Sequence, residues 1–325
     1  MLRWIARALL VAVIAVGAFA AWQWPYTANL WRAVSEGRAE YPDLADRLPV
    51  VEKVAGAPAP LPGEPAVDEA ARFAEAISYA ESQRSWSLLI WQGGRLHVEK
   101  YMNGSSAAAR PESASMHKTV LAMVVGQALA DGVFKSLDDP IGAYIEEWAG
   151  DDRGKITLRQ LLSMSSGLTT TASSGGLFSE TLRFQMGLFP ERLLLSRQVA
   201  RPPNTDFEYL NVNSNLVGLA LQRSLGRRYA EYLSEKIWRP IGASDGYVVP
   251  ARPGGFVKTS GTLLAQARDW LRVGLLLKDD GLFDGRRVLP EGWVAQMTAS
   301  SATNPIYGMQ VWRASPHVAE RYYNN

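Results

Sequence analysis

The sequence predicts an α+β fold in which an antiparallel sheet packs against helices, and three patterns indicate it. Two runs of alternating side chains flank Gln92-Gly93-Gly94, a combination that predicts a β-hairpin. Residues 112–132 begin with small side chains and continue as a segment that is apolar nearly all round, which predicts a helix at the centre of a domain. Residues 263–278 show the period of an amphipathic helix.

Composition narrows the function classes. The chain has 325 residues, of which 47% are hydrophobic, and this is enough for a sizeable core. The net charge is +2 and there is no basic run, so the sequence predicts no nucleic-acid partner. Cysteine is absent, which excludes thiol chemistry, Cys-based metal sites and disulfides. His97, His117 and His317 lack metal-binding spacing, so the sequence predicts neither a metal nor another cofactor.

Residues 1–24 carry two arginines ahead of an uncharged apolar stretch, which predicts a segment that engages a membrane. An A-x-A sequence at residues 18–20 favours a cleaved signal peptide. Trp22 and Trp24 could instead lie in an interfacial belt, which favours an N-terminal membrane anchor. Both alternatives place the remainder of the chain on the extracytoplasmic side, either secreted or membrane-anchored.

Residues 25–67 are rich in proline and contain few apolar pairs, so the sequence predicts an extended spacer. A helical period then begins in residues 68–82 and leads into the predicted hairpin. We therefore expect one folded domain over residues 68–325.

Ser115 and Lys118 form an S-x-x-K pair at the start of the apolar helix. Residues three apart lie on one helix face, so the hydroxyl and the amine can share a proton. The helix dipole favours negative charge on Ser115, and burial lowers a lysine pKa from about 10.4, which can make Lys118 a base. The structural alternative is a capping serine with Lys118 extending to solvent. The ring of His117, about 200° round the helix from Ser115, should point away from that hydroxyl.

Tyr209 and Asn211 form a Y-x-N sequence immediately before another apolar helix. A phenol next to an ammonium can pass a proton to a leaving amine or alcohol. The alternative for Tyr209 is a core aromatic whose hydroxyl has one hydrogen-bond partner. Earlier in the chain, Thr157 fits the N-cap of a helix that carries a stripe of leucines.

Four ordered stretches carry a family resemblance: S-M-H-K, L-L-S-M-S-S-G-L, Y-L-N and A-R-D-W-L-R-V-G-L-L-L. Together they resemble the serine beta-lactamase-like hydrolases, most of all the class C type with penicillin-binding esterases, D-amino-acid peptidases and 6-aminohexanoate-dimer hydrolases. The resemblance covers about residues 68–313. It implies a beta-lactamase/transpeptidase-like fold, with an antiparallel sheet flanked by helices and a helical subdomain.

The resemblance also implies roles for the polar residues. Ser115 would be the acylated nucleophile, Lys118 the base that takes its proton, and Tyr209 the second proton carrier. Asn211 would hold Lys118 and the substrate amide. The implied substrate is a small-molecule or peptide-like amide or ester, and its identity would depend on loops such as residues 169–190.

One element of the family pattern is not found where it is expected. Members carry a K-T-G, H-T-G or glycine-rich strand that supplies the second oxyanion N–H. Residues 258–261 read K-T-S-G but precede the A-R-D-W helix, whereas the family element follows it, so we interpret them as a decoy. The family continues into further strands after Trp312, and we therefore expect a C-terminally incomplete domain. The alternative function is a non-catalytic ligand-binding sensor or an inactive remnant.

Overall fold

The computed structural model of the chain describes residues 2–24, 26–36, 43, 45–64, 71–169, 184, 186–187 and 190–313. Most of the loop at residues 169–190 lies outside the described residues, as do residues 65–70 at the predicted start of the domain and the C-terminal residues 314–325.

Helices and short strands make up the described part of the fold. In chain order the helices are α1 (Leu2–Trp22), α2 (Tyr26–Glu36), α3 (Ala74–Ser82), α4 (His117–Ala130), α5 (Leu158–Leu162), α6 (Pro190–Leu195), α7 (Asn211–Leu225), α8 (Tyr229–Leu233), α9 (Ala267–Lys278) and α10 (Trp293–Thr298). The strands are β1 (Glu52–Val54), β2 (Ser87–Gln92), β3 (Arg95–Tyr101), β4 (Gly246–Val248), β5 (Leu263–Leu264), β6 (Leu282–Phe283) and β7 (Arg286–Arg287).

Within the described residues the strands form three antiparallel sheets. In the first, β4 lies between β1 and β5, with Lys53 opposite Tyr247 and Val248 opposite Leu263. In the second, β2 and β3 form the predicted hairpin, with a register shift after Ile90. In the third, β6 pairs with β7. Helices and antiparallel strands together confirm the predicted α+β class.

Helix α4 is the centre of the core, as its all-round apolar sequence predicts. Residues 120–125 of this helix are fully buried. The indole of Trp293 on α10 lies against the helix and donates a hydrogen bond from Nε1 to the carbonyl of Ala122 at 3.0 Å. The site residues at the start of α4 therefore stand on an element that is packed on all sides.

Local sequence signals are reproduced at α5. Thr157 accepts a hydrogen bond from the backbone N–H of Gln160, and the Gln160 side chain accepts one from the backbone N–H of Thr157. This is a complete capping box, in which two otherwise unpaired donors of the first turn are satisfied.

The described segments within residues 25–67 differ from the expected extended spacer. Helix α2 forms within them, and β1 pairs with β4 at the edge of the first sheet. Glu52 on β1 also forms an ion pair with Arg228, which lies about 180 residues further along the chain. A three-residue strand has too few positions to show the alternation typical of strands, so its sequence alone does not predict β1. The strand is recognised only by its pairing with β4.

Residues 307–312, Y-G-M-Q-V-W, suggest a strand from their sequence, but that prediction is wrong. Gln310 has a φ of +60°, so the chain turns back and Tyr307 pairs with Trp312 in a single bridge. The Gln310 side chain is fixed in the core, where it accepts from the Ser214 hydroxyl and donates to the carbonyl of Leu162. These hydrogen bonds hold a conformation that glutamine seldom adopts.

The close contact between α4 and α10 gives a test of the packing. A Cβ added to Gly126 would lie 2.4 Å from the Trp293 indole nitrogen, so Gly126→Ala should push the indole out of its place. We expect the free energy of unfolding to fall by about 1–3 kcal/mol, measured by urea denaturation monitored with circular dichroism.

Gly274→Ala on α9 is the matched control. Gly274 is an exposed helical glycine with open space where a Cβ would stand. Because alanine has the higher helix propensity, this variant should gain about 0.5–1 kcal/mol. Equal effects of the two substitutions would contradict the described contact between the helices.

Candidate active site

Ser115 stands at the N-terminal end of α4, in a short 3-10 turn that spans Ala114–Met116, and its side chain is exposed. The preceding residue, Ala114, has a φ of +44°, which is a strained conformation for a residue with a Cβ. Such strain persists only where the surrounding structure holds it, and it is frequent at functional sites. The turn therefore presents the hydroxyl to solvent from a rigid base.

Lys118 lies one turn further along and is buried, with 1% of its surface exposed. Its Nζ donates to Ser115 Oγ at 3.0 Å, to Asn211 Oδ1 at 2.8 Å and to the carbonyl oxygen of Ser260 at 2.5 Å. Three acceptors match the three N–H bonds of an ammonium. The solvent-exposed alternative for Lys118 is wrong, because its amine points into the site.

Burial lowers the pKa of Lys118 from its ordinary value to about 8. The cause is desolvation, because the charged form loses hydration that the three neutral acceptors replace only in part. None of these acceptors is a carboxylate. The lysine is therefore close to the point at which it can exist as a neutral amine.

Tyr209 and Asn211 come to the site from the loop before α7 and from its first turn. Asn211 contacts Lys118 directly, and the ring of Tyr209 lies with its centroid 5.0 Å from Lys118 Nζ. The Tyr209 ring also packs against Tyr307 and Trp312, with centroids 5.9 Å and 5.5 Å away. The structure thus brings together all four residues that the sequence predicts for the site.

The turn at residues 258–261, whose K-T-S-G sequence we interpret as a decoy, also reaches the site. It is not a strand, but its Ser260 carbonyl accepts from Lys118. Asn215, one turn after Asn211 on α7, accepts from the backbone N–H of Ser260 and donates to its hydroxyl, both at 3.1 Å. Thr259 Oγ1 donates to the carbonyl of Ser214 at 2.8 Å. Helix α7 therefore fixes this turn against the lysine.

Sequence reasoning missed Ser260 and Asn215 as parts of the site. A backbone carbonyl has no sequence signature, so Ser260 could not have been found. The Asn211 to Asn215 spacing places two amides on the same helix face, and this signal was available.

His117 is fully buried, and its ring bonds to Gly261 and Tyr229 rather than to the Ser115 hydroxyl. Its Nδ1 lies 2.7 Å from the carbonyl oxygen of Gly261, so Nδ1 carries the proton. Its Nε2 then accepts from the hydroxyl of Tyr229 at 3.0 Å. Burial lowers the pKa of His117 to about 4 and keeps the ring neutral. The expected orientation of this ring, away from the nucleophile, agrees with the structure.

Ser115, Tyr209 and Asn211 line a cavity of about 590 Å³. Lys258 lies in the same wall, and burial lowers its pKa to about 8, an effect that nearby Glu112 partly offsets. Part of the remaining wall comes from the N-terminal region, through Asn29, Arg32, Leu48, Pro49 and Val50. Over the part of the chain that the structure describes, no group of three or more His, Cys, Asp or Glu side chains could hold a metal.

Comparison with known proteins finds a matching family model and a relative that is a hydrolase. The beta-lactamase family model matches residues 70–317. A 6-aminohexanoate-dimer hydrolase from Paenarthrobacter ureafaciens is 24% identical over 293 residues, which cover 85% of this chain and 73% of that protein.

Solved structures show the same fold. A Bacillus anthracis protein assigned to the 6-aminohexanoate-dimer hydrolases superposes with a TM-score of 0.70 at 20% identity, covering 91% of this chain and 82% of that one. A penicillin binding protein from Bacillus halodurans gives a TM-score of 0.59 at 17% identity, covering 73% and 82%. The predicted fold and family are confirmed, and the chain belongs to the beta-lactamase family of serine hydrolases.

Proposed function

We propose that the chain hydrolyses an amide or ester bond through an acyl-enzyme on Ser115. The observation that carries this proposal is the 3.0 Å contact between Lys118 Nζ and Ser115 Oγ, made by a lysine whose pKa is lowered to about 8. A hydroxyl next to such an amine can lose its proton as it attacks a carbonyl carbon.

In the acylation step, neutral Lys118 takes the hydroxyl proton and Ser115 Oγ bonds to the carbonyl carbon of the substrate. The bond from that carbon to the leaving oxygen or nitrogen breaks, and Tyr209 passes the proton to the leaving group. Asn211 holds the ammonium of Lys118 and orients the substrate amide. Water then loses a proton to the same residues as its oxygen bonds to the acyl carbon. The bond from that carbon to Ser115 Oγ breaks, the carboxylic acid leaves and the proton returns to Oγ.

The proposed substrate is a small-molecule or peptide-like amide or ester. The name of the relative from Paenarthrobacter ureafaciens, a 6-aminohexanoate-dimer hydrolase, supports a linear amide as one such class. The cavity volume of about 590 Å³ falls in the range of small-molecule sites.

We place the enzyme on the extracytoplasmic side, with α1 as a signal peptide or a membrane anchor. Residues Arg3–Trp22 have a mean hydropathy of 2.2, and none of their hydrophobic window is buried in the fold. An exposed apolar helix of this length is costly in water but suits a bilayer.

The nucleophile is tested by Ser115→Ala. This variant should hydrolyse p-nitrophenyl acetate at the background rate. A fluorophosphonate probe should add its mass to Ser115 of the wild-type chain and should not label the variant. Ser78→Ala, at an exposed serine of α3, is the matched control and should behave as wild type. Labelling without turnover would favour a ligand-binding sensor, and labelling of another serine would refute the assignment.

Proton transfer by Tyr209 is tested by Tyr209→Phe, which keeps the ring over Lys118 and removes the hydroxyl. We expect a loss in kcat of about 100- to 10,000-fold for an amide and a smaller loss for a nitrophenyl ester, whose leaving group needs no proton. Tyr232→Phe is the control, because the Tyr232 hydroxyl bonds to Asp131 rather than to the site. Equal losses for both substrates would argue against Tyr209 as the acid for the leaving group.

The role of Lys118 predicts a pH dependence. The base must be uncharged, and its pKa in the folded chain is about 8, so kcat/KM should rise with pH and level off above that value. Lys118→Arg keeps a positive charge that does not titrate below pH 12, so it should lose activity by at least 100-fold at every pH. A flat profile for the wild-type chain between pH 6 and 9 would contradict a lysine base.

A further inference from the structure

Helix α2 forms part of the wall of the catalytic cavity. Asn29 and Arg32 of this helix line the same cavity as Ser115. The side-chain amide of Asn29 donates to the carbonyl of Met186 at 3.0 Å, which attaches the helix to a segment 157 residues away. Tyr26, at the start of α2, is only 5% exposed. The helix is therefore packed on the domain.

The same helix follows α1 almost directly. Helix α1 has 21 residues, or about 31 Å at about 1.5 Å per residue, which matches the hydrocarbon thickness of a bilayer. Only three residues separate Trp22, the last of α1, from Tyr26. Four residue steps span at most about 14 Å, and the helical steps to Asn29 add about 5 Å.

These lengths limit the distance from the membrane to the site. If α1 spans a bilayer, Asn29 lies within about 19 Å of the end of the span. A domain of 248 residues, the length that the family model matches, is roughly 45 Å across. The wall of the cavity that contains Asn29 is therefore on the half of the domain that faces the membrane.

Exposed tryptophans mark the same region. Trp22 and Trp24 at the end of α1 are 63% and 44% exposed, and Trp31 on α2 is 72% exposed. Tryptophan prefers the interface between lipid and water, where its ring is apolar and its N–H has a partner. Trp4, at the other end of α1, is 74% exposed and matches the opposite interface. Helix α2 thus exposes Trp31 while Asn29 and Arg32 of the same helix line the cavity.

We propose that α1 remains as a membrane anchor, that α2 lies on the extracytoplasmic membrane surface, and that the Ser115 cavity takes an ester or amide held in that leaflet by an apolar chain. The cavity wall offers apolar contacts for such a chain through Leu48, Val50, Phe184, Met186 and Leu194. The inference rests on the proposed hydrolase function, and the reaction is unchanged: water adds across the acyl bond to give a carboxylic acid and an alcohol or amine.

Two lipid-anchored substrates test the height of the cavity above the membrane. The full chain is reconstituted in phosphatidylcholine and phosphatidylglycerol vesicles with a 4-methylumbelliferyl ester attached to a phospholipid, either directly or through a polyethylene glycol spacer longer than the domain. We expect the direct ester to be cleaved at least as fast as the spaced one. Cleavage of the spaced ester alone would overturn the inference, because the cavity would then be remote from the membrane.

A water-soluble 4-methylumbelliferyl ester separates this failure from failure of the proposed function. If the soluble ester is cleaved and the direct lipid ester is not, the membrane-facing cavity is wrong while the hydrolase stands. If no ester is cleaved, the hydrolase proposal itself fails and the inference falls with it.

The position of α2 can be measured directly, since the chain contains no cysteine. Trp31→Cys and Tyr79→Cys each introduce one site for a nitroxide label, at aromatic residues that are 72% and 68% exposed. In vesicles the label at position 31 should be more accessible to oxygen than to a water-soluble nickel chelate, and the label at position 79 should show the reverse. Equal accessibility to the nickel chelate at both positions would refute contact between α2 and the membrane.

Discussion

The burial of one ammonium group, that of Lys118, is the constraint on which the site depends. An unpaired charge in a protein interior is too costly to persist, so the amine needs acceptors or must lose its proton. The fold supplies Ser115 from the same helix, Asn211 from α7 and the carbonyl of Ser260 from a distant turn. These acceptors are neutral, so they stabilise the ammonium less than a carboxylate would, and its pKa stays near 8.

Helix α7 enforces this arrangement. Its first residue holds the lysine, and Asn215 holds the backbone and side chain of Ser260. The turn at residues 258–261 can lie this close to α7 only because residue 218, one helical turn later, is glycine. A Cβ on Gly218 would stand 2.1 Å from Thr259 Oγ1. The predicted Y-x-N sequence thus leads into a face of α7 that has a second role. This face also positions the turn whose carbonyl accepts the third hydrogen bond from Lys118.

The parts of the structure that the sequence predicted are those with a local signal. The hairpin of β2 and β3, the central helix α4 and the capping box at Thr157 are each determined by neighbours within a few residues. The four site residues were found because the two members of each pair lie within three residues of one another in the sequence, Ser115 with Lys118 and Tyr209 with Asn211. Their roles in catalysis stay predictions. Strand β1 and helix α2 were not found, because β1 pairs with residues near 247 and α2 packs against residue 186.

The turn at residues 258–261 shows why a short string is a poor guide to a role. Its K-T-S-G sequence is similar to a strand element of the family. In the structure it is a turn, and it contacts Lys118 through the backbone carbonyl of Ser260. A Cβ on Gly261 would lie 3.1 Å from the carbonyl oxygen of Ala114, so the absence of a side chain allows the turn to approach the residue before the nucleophile. The carbonyl of Gly261 also orients His117, whose buried ring stays neutral and so adds no second charge beside Lys118. A larger residue at position 261 would therefore disturb both the strained backbone of Ala114 and the packing of His117. Both residues flank Ser115 and support the geometry in which its hydroxyl accepts a hydrogen bond from Lys118.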